Sequence, residues 1–266
     1  MADGSRSVVI TGSTRGIGLC MAREFLRLGC NVTISGSAAA SGILAQQSLQ
    51  GFSGSYHYVP CDVRNMAEIE NLWNEAVGKW RKVDIWINNA GRNCPYSIVC
   101  ETPVPAVDSV LDTNIKGMIY GSMVAAKHML AQGGGQIWNM EGMGSNNMIQ
   151  PKTILYGTTK HALTYFTKGL AKELKGTPVM AGRLSPGMML TDFITKDHKG
   201  APSPVIENTQ FINIFNILAD RPETVAAFLV PRMLKNTRNN SQIAWLTNTK
   251  AFVRFSTAMF RKHRLL

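Results

Sequence analysis

Apolar runs of strand length alternate along the chain with longer stretches whose apolar residues recur at helical spacing. "RSVVIT" (6–11) reads as a buried strand, and "GIGLCMAREFLRLG" (16–29) as a helix closed by Gly29. "CNVTISG" (30–36) and "YHYVPCDV" (56–63) are expected as the next two strands. "NMAEIENLWNEAVGKW" (65–80) has helical spacing, with Asn65 placed to cap it. "VDIWINNAG" (83–91) is a strand, a long helix follows around 106–130, and "GQIWNM" (135–140) is the next strand. A helix is expected from about Leu155 to Leu174, then the strands "PVMAGRLSPG" (178–187) and "QIAWLT" (242–247). Strands alternating with helices imply right-handed βαβ units. The expected fold class is therefore α/β: one Rossmann-type domain over 1–266, with a doubly wound parallel sheet of about seven strands and helices on both faces.

Residues 192–221 break the rhythm. They mix Pro, Gly and charge with aromatic and aliphatic residues, as a segment covering a site would, although a purely structural excursion reads the same way. In the tail 248–266, Phe252, Phe255, Met259 and Phe260 fall at helical spacing near Arg254, Arg261, Lys262 and Arg264. Such a basic amphipathic helix suits peripheral contact with an anionic membrane, or packing on a partner subunit.

Composition excludes more than it assigns. The net charge of +11 favours anionic or phosphate-bearing ligands, but no nucleic-acid motif accompanies it. No apolar run approaches the ~20 residues that span a bilayer. No secretory signal is expected ahead of the first strand, and the expected setting is a soluble interior compartment. The five cysteines form no C-x-x-C pair and the five histidines are scattered, so no protein-bound metal and no disulfide framework are expected.

"TGSTRGIG" (11–18) follows a strand and opens a helix, the setting in which a glycine motif cradles a pyrophosphate. Gly12 permits the tight turn, and Gly16 and Gly18 allow close backbone approach and helix–sheet packing. Ser13, Thr14, Arg15 and Ile17 complete the loop. The second strand ends in Ser35-Gly36-Ser37, without the carboxylate that would hold an NAD ribose. Arg15 can meet a 2′-phosphate and Ser37 can add a hydrogen bond, so NADPH is favoured over NADH. Tyr156 and Lys160 stand four apart on the helix from Leu155 and share a face. A nearby ammonium favours phenolate and suits the pair to proton transfer near neutrality.

At "TGSTRGIG", "NNAG" (88–91), Asn114 in "DTNIKG" and "YGTTK" (156–160), the chain resembles the short-chain dehydrogenases/reductases. That resemblance implies a proton-donating Tyr156, a Lys160 that also holds the nicotinamide ribose, and an Asn114 that bends its helix and supports a relay water. It implies cofactor contacts at Asp62-Val63, along Asn88, Asn89, Ala90 and Gly91, and at Pro186, Gly187, Met189 and Thr191. A homodimer or homotetramer follows by analogy, through the helices at 106–130 and 155–174.

One part of the pattern departs. The serine usual in this family belongs at Gly142 or Met143. "NMEGMGS", with "SPGMMLTDF" and "FNILADRPETVAAFLVPRM" (215–233), is similar instead to the chlorophyll(ide) b reductases. This implies reduction of the 7-formyl group of chlorophyll b or chlorophyllide b, in the chloroplast stroma or at the thylakoid surface if the source is a plant or alga. Another bulky apolar carbonyl compound is the rival substrate, and a non-catalytic NADP-binding sensor the rival function. Removing bulk at Gly142 and Gly144 would admit a flat ring, with Met143, Gly144 and Phe193 as expected substrate contacts. Ser145 either reaches the formyl oxygen as a catalytic residue or caps its loop. Glu141 either touches the pigment's magnesium or forms a structural ion pair.

Overall fold

The computed structural model describes residues 5–52, 54–196, 200–258 and 265–266. Seven parallel strands form one sheet: β1 (Ser7–Ile10), β2 (Asn31–Gly36), β3 (Tyr56–Pro60), β4 (Ile85–Asn88), β5 (Gly135–Met140), β6 (Val179–Ser185) and β7 (Gln242–Ala244). Their order is β3-β2-β1-β4-β5-β6-β7, the doubly wound arrangement that the strand–helix rhythm implied. In register, Val9 lies beside Thr33 on one side and Trp86 on the other, and Asn88 lies beside Asn139.

Side-chain alternation divides the core into two layers. Val8, Ile10, Ile85, Ile87, Trp138 and Met140 point to one face, and Val9, Trp86 and Ile137 to the other. Both faces are covered, which is why the strands read as continuous apolar runs. On the first face lie α1 (Gly16–Arg27), α2 (Ala39–Ser48) and, later in the chain, α9 (Pro222–Leu234). The second carries α3 (Met66–Trp80), α5 (Gly117–Gln132) and α6 (Ile154–Glu173). Asn65 caps α3, its side-chain oxygen accepting from Ala67 N–H, as its position suggested.

The long helix expected around 106–130 is interrupted. It consists of α4 (Val104–Leu111), a π-helical turn (Asp112–Lys116) and α5. Between β6 and α9 the chain forms α7 (Asp192–Thr195), a 3₁₀ turn (Pro204–Glu207) and α8 (Thr209–Leu218). This excursion carries its own packing: Phe215 is fully buried, and Asp220 bridges to Met189 beyond β6. After β7 comes α10 (Asn248–Ser256). Met259, Phe260, Arg261, Lys262 and Arg264 of the expected amphipathic tail lie outside the described residues. Arg254 is not one of that tail's free cations. It is buried, donates to Asp220 Oδ2 at 2.7 Å and to the Leu218 carbonyl at 2.8 Å, and so ties α10 to the end of α8. Phe252 and Phe255 of the same helix are exposed. No described helix is long and apolar enough to cross a membrane. Of the five cysteines, all free, four are buried and Cys100 is exposed. Burial pushes the Cys20 and Cys61 thiols up to about 12, so both stay protonated near neutrality.

Candidate active site

The loops that follow β1, β4, β5 and β6 meet at one edge of the sheet, where open α/β folds bind their ligands. The glycine loop is built from β1 outward. Gly12 and Gly16 have φ of +60° and +57°, which a side chain would strain. A Cβ on Gly12 would sit 2.7 Å from Ala90 Cα, and one on Gly18 would sit 2.5 Å from Asn89 Nδ2. Both glycines therefore press the loop against the end of β4. Asn89 locks that contact, donating from Nδ2 to the carbonyls of Thr11 and Gly12, each at 2.9 Å. Thr11 Oγ1 accepts from the backbone N–H of Asn89 and of Ala90. A Cβ on Gly16 would meet only Thr191 Cγ2, at 3.9 Å, so the backbone at the start of α1 borders open space. That cradle fits a dinucleotide pyrophosphate at a helix N-terminus. Arg15 precedes α1 and is exposed, as is Ser37 after β2. Ser13 faces inward, donating to Ile10 O and accepting from Ser35 N–H, and Thr14 donates to Ser41 Oγ.

Asp62 is half-buried beside the buried Val63, and its carboxylate accepts a forked pair from Arg64. Those hydrogen bonds hold its carboxyl below the usual carboxylate range. Asn88 is a satisfied interior amide, accepting from Trp86 Nε1 and donating to Ser122 Oγ and Asn139 Oδ1. After β6, Gly187 has φ +73° and a Cβ there would strike Leu246. Pro186, Gly187 and Met189 thereby lead to Thr191, the residue facing the Gly16 turn.

Tyr156 and Lys160 are both buried on α6. Lys160 Nζ donates to Met140 O at 2.8 Å and stands 5.7 Å from the centre of the Tyr156 ring. The π-helical turn carries Asn114 toward this pair. Its Oδ1 accepts from Arg92 N–H at 2.7 Å, and its Nδ2 donates to Arg92 O and to Thr159 Oγ1. A π turn at such a position is a common device of functional sites. A Cβ on Gly91 would lie 3.5 Å from Asn114 Oδ1 and 3.9 Å from Lys160 Nζ, so the end of the "NNAG" segment touches both.

The electrostatics differ from the sequence-based expectation. Burial is the main influence on both groups: it pushes the Tyr156 phenol up, and it lowers Lys160 to about 8, with Glu141 opposing. Tyr156 therefore holds its proton near neutrality.

The "NMEGMGS" segment has a structural logic. A Cβ on Gly142 would sit 2.4 Å from the Tyr156 hydroxyl oxygen, and one on Gly144, at φ +99°, would sit 2.5 Å from Gly157 Cα. The first glycine leaves room for the phenol. The second lets the loop pack on α6 and does not open space for a ring as expected. Met143 and Phe193 pack against the cluster of Tyr156, Cys94 and Val110. The Phe193 and Tyr156 ring centres are 5.4 Å apart. Of the two readings of Ser145, its hydrogen bonds match the loop cap: Oγ accepts from Gly142 N–H and donates to Lys160 O, each at 3.2 Å. Glu141 is buried and ion-paired with Arg183 at 3.5 Å, so it faces the interior and is placed away from any pigment metal. No group of three or more metal-binding side chains occurs among the described residues. Cys94 and Arg183 belong to this neighbourhood although no sequence motif marked them.

Comparison with known proteins agrees with this architecture. The family model for short chain dehydrogenase matches residues 6–201. The chain is 37% identical to the "Chlorophyll(ide) b reductase NOL, chloroplastic" of Oryza sativa subsp. japonica, covering 97% of this chain and 76% of that protein. It is 33% identical to the "Probable chlorophyll(ide) b reductase NYC1, chloroplastic" of Arabidopsis thaliana, covering 98% of this chain. It spans only 54%, about half, of that relative's length. Among solved structures, the closed form of serine dehydrogenase complexed with NADP+ is similar at 25% identity, with a TM-score of 0.77, covering 89% of this chain and 94% of that one. A short-chain type dehydrogenase/reductase from Mycobacterium marinum shares the fold, with a TM-score of 0.80 at 22% identity, covering 91% of this chain and 94% of that one. The chain belongs to the short-chain dehydrogenase/reductase family, as an oxidoreductase built to use a nicotinamide cofactor.

Proposed function

We propose that this chain reduces the 7-formyl group of chlorophyll b or chlorophyllide b to hydroxymethyl, with NADPH as the reductant. The observation that carries the reading is the "NMEGMGS" segment beside an intact Tyr156, Lys160 and Asn114, together with 33–37% identity to plant chlorophyll(ide) b reductases along nearly the whole chain. NADPH, held by the glycine loop and Lys160, would supply the hydride to the formyl carbon. Tyr156 then gives its proton to the oxygen, and its raised affinity for that proton keeps it in donor form beforehand. Donation leaves a phenolate in a buried site, for which the Lys160 ammonium is the counter-charge. Asn114 holds the loop at Arg92 in place and connects, through Thr159, to α6. Met143 and Phe193 offer an apolar wall to a tetrapyrrole ring, and α7 carries Phe193 to it. Ser145 acts on the reaction through the shape of its loop.

Three further features support parts of this reading. Arg15 and Ser37, exposed beside the glycine loop with no carboxylate at the end of β2, favour a 2′-phosphate. Exposed Met123 and Leu130 on α5 and Tyr165 on α6 suit subunit pairing through those helices. Exposed Phe252 and Phe255 on α10 suit contact with a thylakoid surface. The test is NADPH oxidation with chlorophyllide b, chlorophyll b, and a panel of quinones and aromatic aldehydes. The pigments should be turned over fastest, and Tyr156→Phe should lower kcat by about 10²–10⁴ without unfolding the chain. A quinone turned over while both pigments stay inert would transfer the assignment to a different apolar carbonyl compound.

A further inference from the structure

We propose that Glu141 is a positioning residue for Lys160: a buried carboxylate, fixed from three sides, that supplies the counter-charge to the Lys160 ammonium. This rests on the role assigned above to Lys160. Glu141 takes the position directly after the Met140 carbonyl to which Lys160 Nζ donates, so the two residues are joined through one peptide. Thr164 joins them again. Its Oγ1 lies 3.1 Å from Glu141 Oε1, to which it donates, and 3.2 Å from the Lys160 carbonyl. Gln242 Nε2 on β7 donates to Oε2 at 2.7 Å, and Arg183 on β6 lies 3.5 Å from Oε1. The carboxylate is 2% exposed and cannot turn outward.

A buried ammonium without water needs a nearby negative charge, or it gives up its proton. His161, next to Lys160 on α6, turns its ring to the Gly144 carbonyl in the loop that follows Glu141. Tyr156 shares its helix, Cys94 lies against Tyr156 from the loop after β4, and Arg183 approaches Glu141 from β6. Glu141 is the acidic member of this set, and its charge raises the proton affinity of Lys160 against burial, which lowers it to about 8. Arg183 holds Glu141 in place from β6. Arg183 Nε has no hydrogen-bond partner among the described residues. Arg183 therefore leans on Glu141 as its counter-ion, and removing the carboxylate would strand a buried cation.

The test compares the purified full chain with Glu141→Gln and Glu141→Asp. NADPH affinity is read by fluorescence titration from pH 6 to 9.5, alongside kcat/KM for carbonyl reduction. In the unaltered chain both should weaken as pH rises through about 8, where Lys160 loses its proton. In Glu141→Gln that limb should move to lower pH, and a displacement of about one pH unit would cost ~5-fold in kcat/KM at pH 8 with much less effect at pH 6. Glu141→Asp should return the limb toward its original place. Adding Arg183→Met to Glu141→Gln removes the stranded cation and keeps the experiment decisive if the single variant folds poorly. A uniform loss at every pH, with the limb unmoved, would overturn the proposal and leave Glu141 a purely structural ion pair. If the chain reduces no carbonyl at all, the functional reading falls, while the NADPH titration still reports whether the limb moves.

Discussion

The position usually held by a serine in this family is occupied here by residues whose shape serves Tyr156 and α6. Gly142 is obligatory in this packing because any Cβ would meet the phenol oxygen. Restoring a serine there, Gly142→Ser, should lower kcat by about 10²-fold or more by displacing the proton donor, at a fold cost within ~1–3 kcal/mol. Kinetics beside thermal unfolding separate the two effects. Ser145→Ala makes the opposite kind of change. It removes a loop cap worth ~1 kcal/mol and should leave kcat within a few-fold. A loss of 10²–10³ in kcat with stability intact would instead place the Ser145 hydroxyl on the substrate oxygen. The pH dependence belongs at this scale too. Lys160, lowered to about 8, should give a falling activity limb near that pH, since its charged form is the competent one.

At the scale of elements, a buried ion pair helps to fix α10. Among the described residues, Arg254→Met would leave the Trp245 indole as the donor at Asp220 Oδ2, an uncompensated interior charge costing about 3–5 kcal/mol. Chemical denaturation should register that loss, and a change below ~1 kcal/mol would show that the pair does not anchor the helix. This ion pair also illustrates what the sequence concealed. Arg254 looked like one of several basic residues on an amphipathic tail, because helical spacing says nothing about which face meets the rest of the fold. The strands were legible because burial on both faces leaves uninterrupted apolar runs, and α1 and α3 because their spacing and caps agree. By contrast α2, which begins at Ala39 after Ala38 and has no side-chain cap, gives no start signal, and α9, packed against α1, carries Pro231 inside it. The π turn at Asn114 is invisible to periodicity, since one inserted residue barely disturbs an apolar stripe. Tyr156, Lys160 and the glycine loop were legible because their spacing is tied to a strand–turn–helix setting. Glu141, Arg183 and Thr164 were not, because β5, β6 and α6 bring them together from distant parts of the chain.

At the scale of the whole molecule, a nicotinamide-binding fold and an apolar wall of Met143 and Phe193 stand on a strongly basic chain. Cofactor choice tests the basic loop. Arg15→Ala should raise KM for NADPH about tenfold or more while leaving NADH nearly unchanged, and equal effects on both would remove the 2′-phosphate contact. The most direct measurement of the central claim follows the hydride itself. The purified chain is incubated with chlorophyllide b and NADPH bearing deuterium at the transferred position of the nicotinamide, and the pigment is separated by chromatography and weighed by mass spectrometry. The expected product is the 7-hydroxymethyl pigment carrying a single deuterium on the carbinol carbon, absent with Tyr156→Phe. Unchanged chlorophyllide b, with NADPH consumed equally in the pigment-free control, would contradict it.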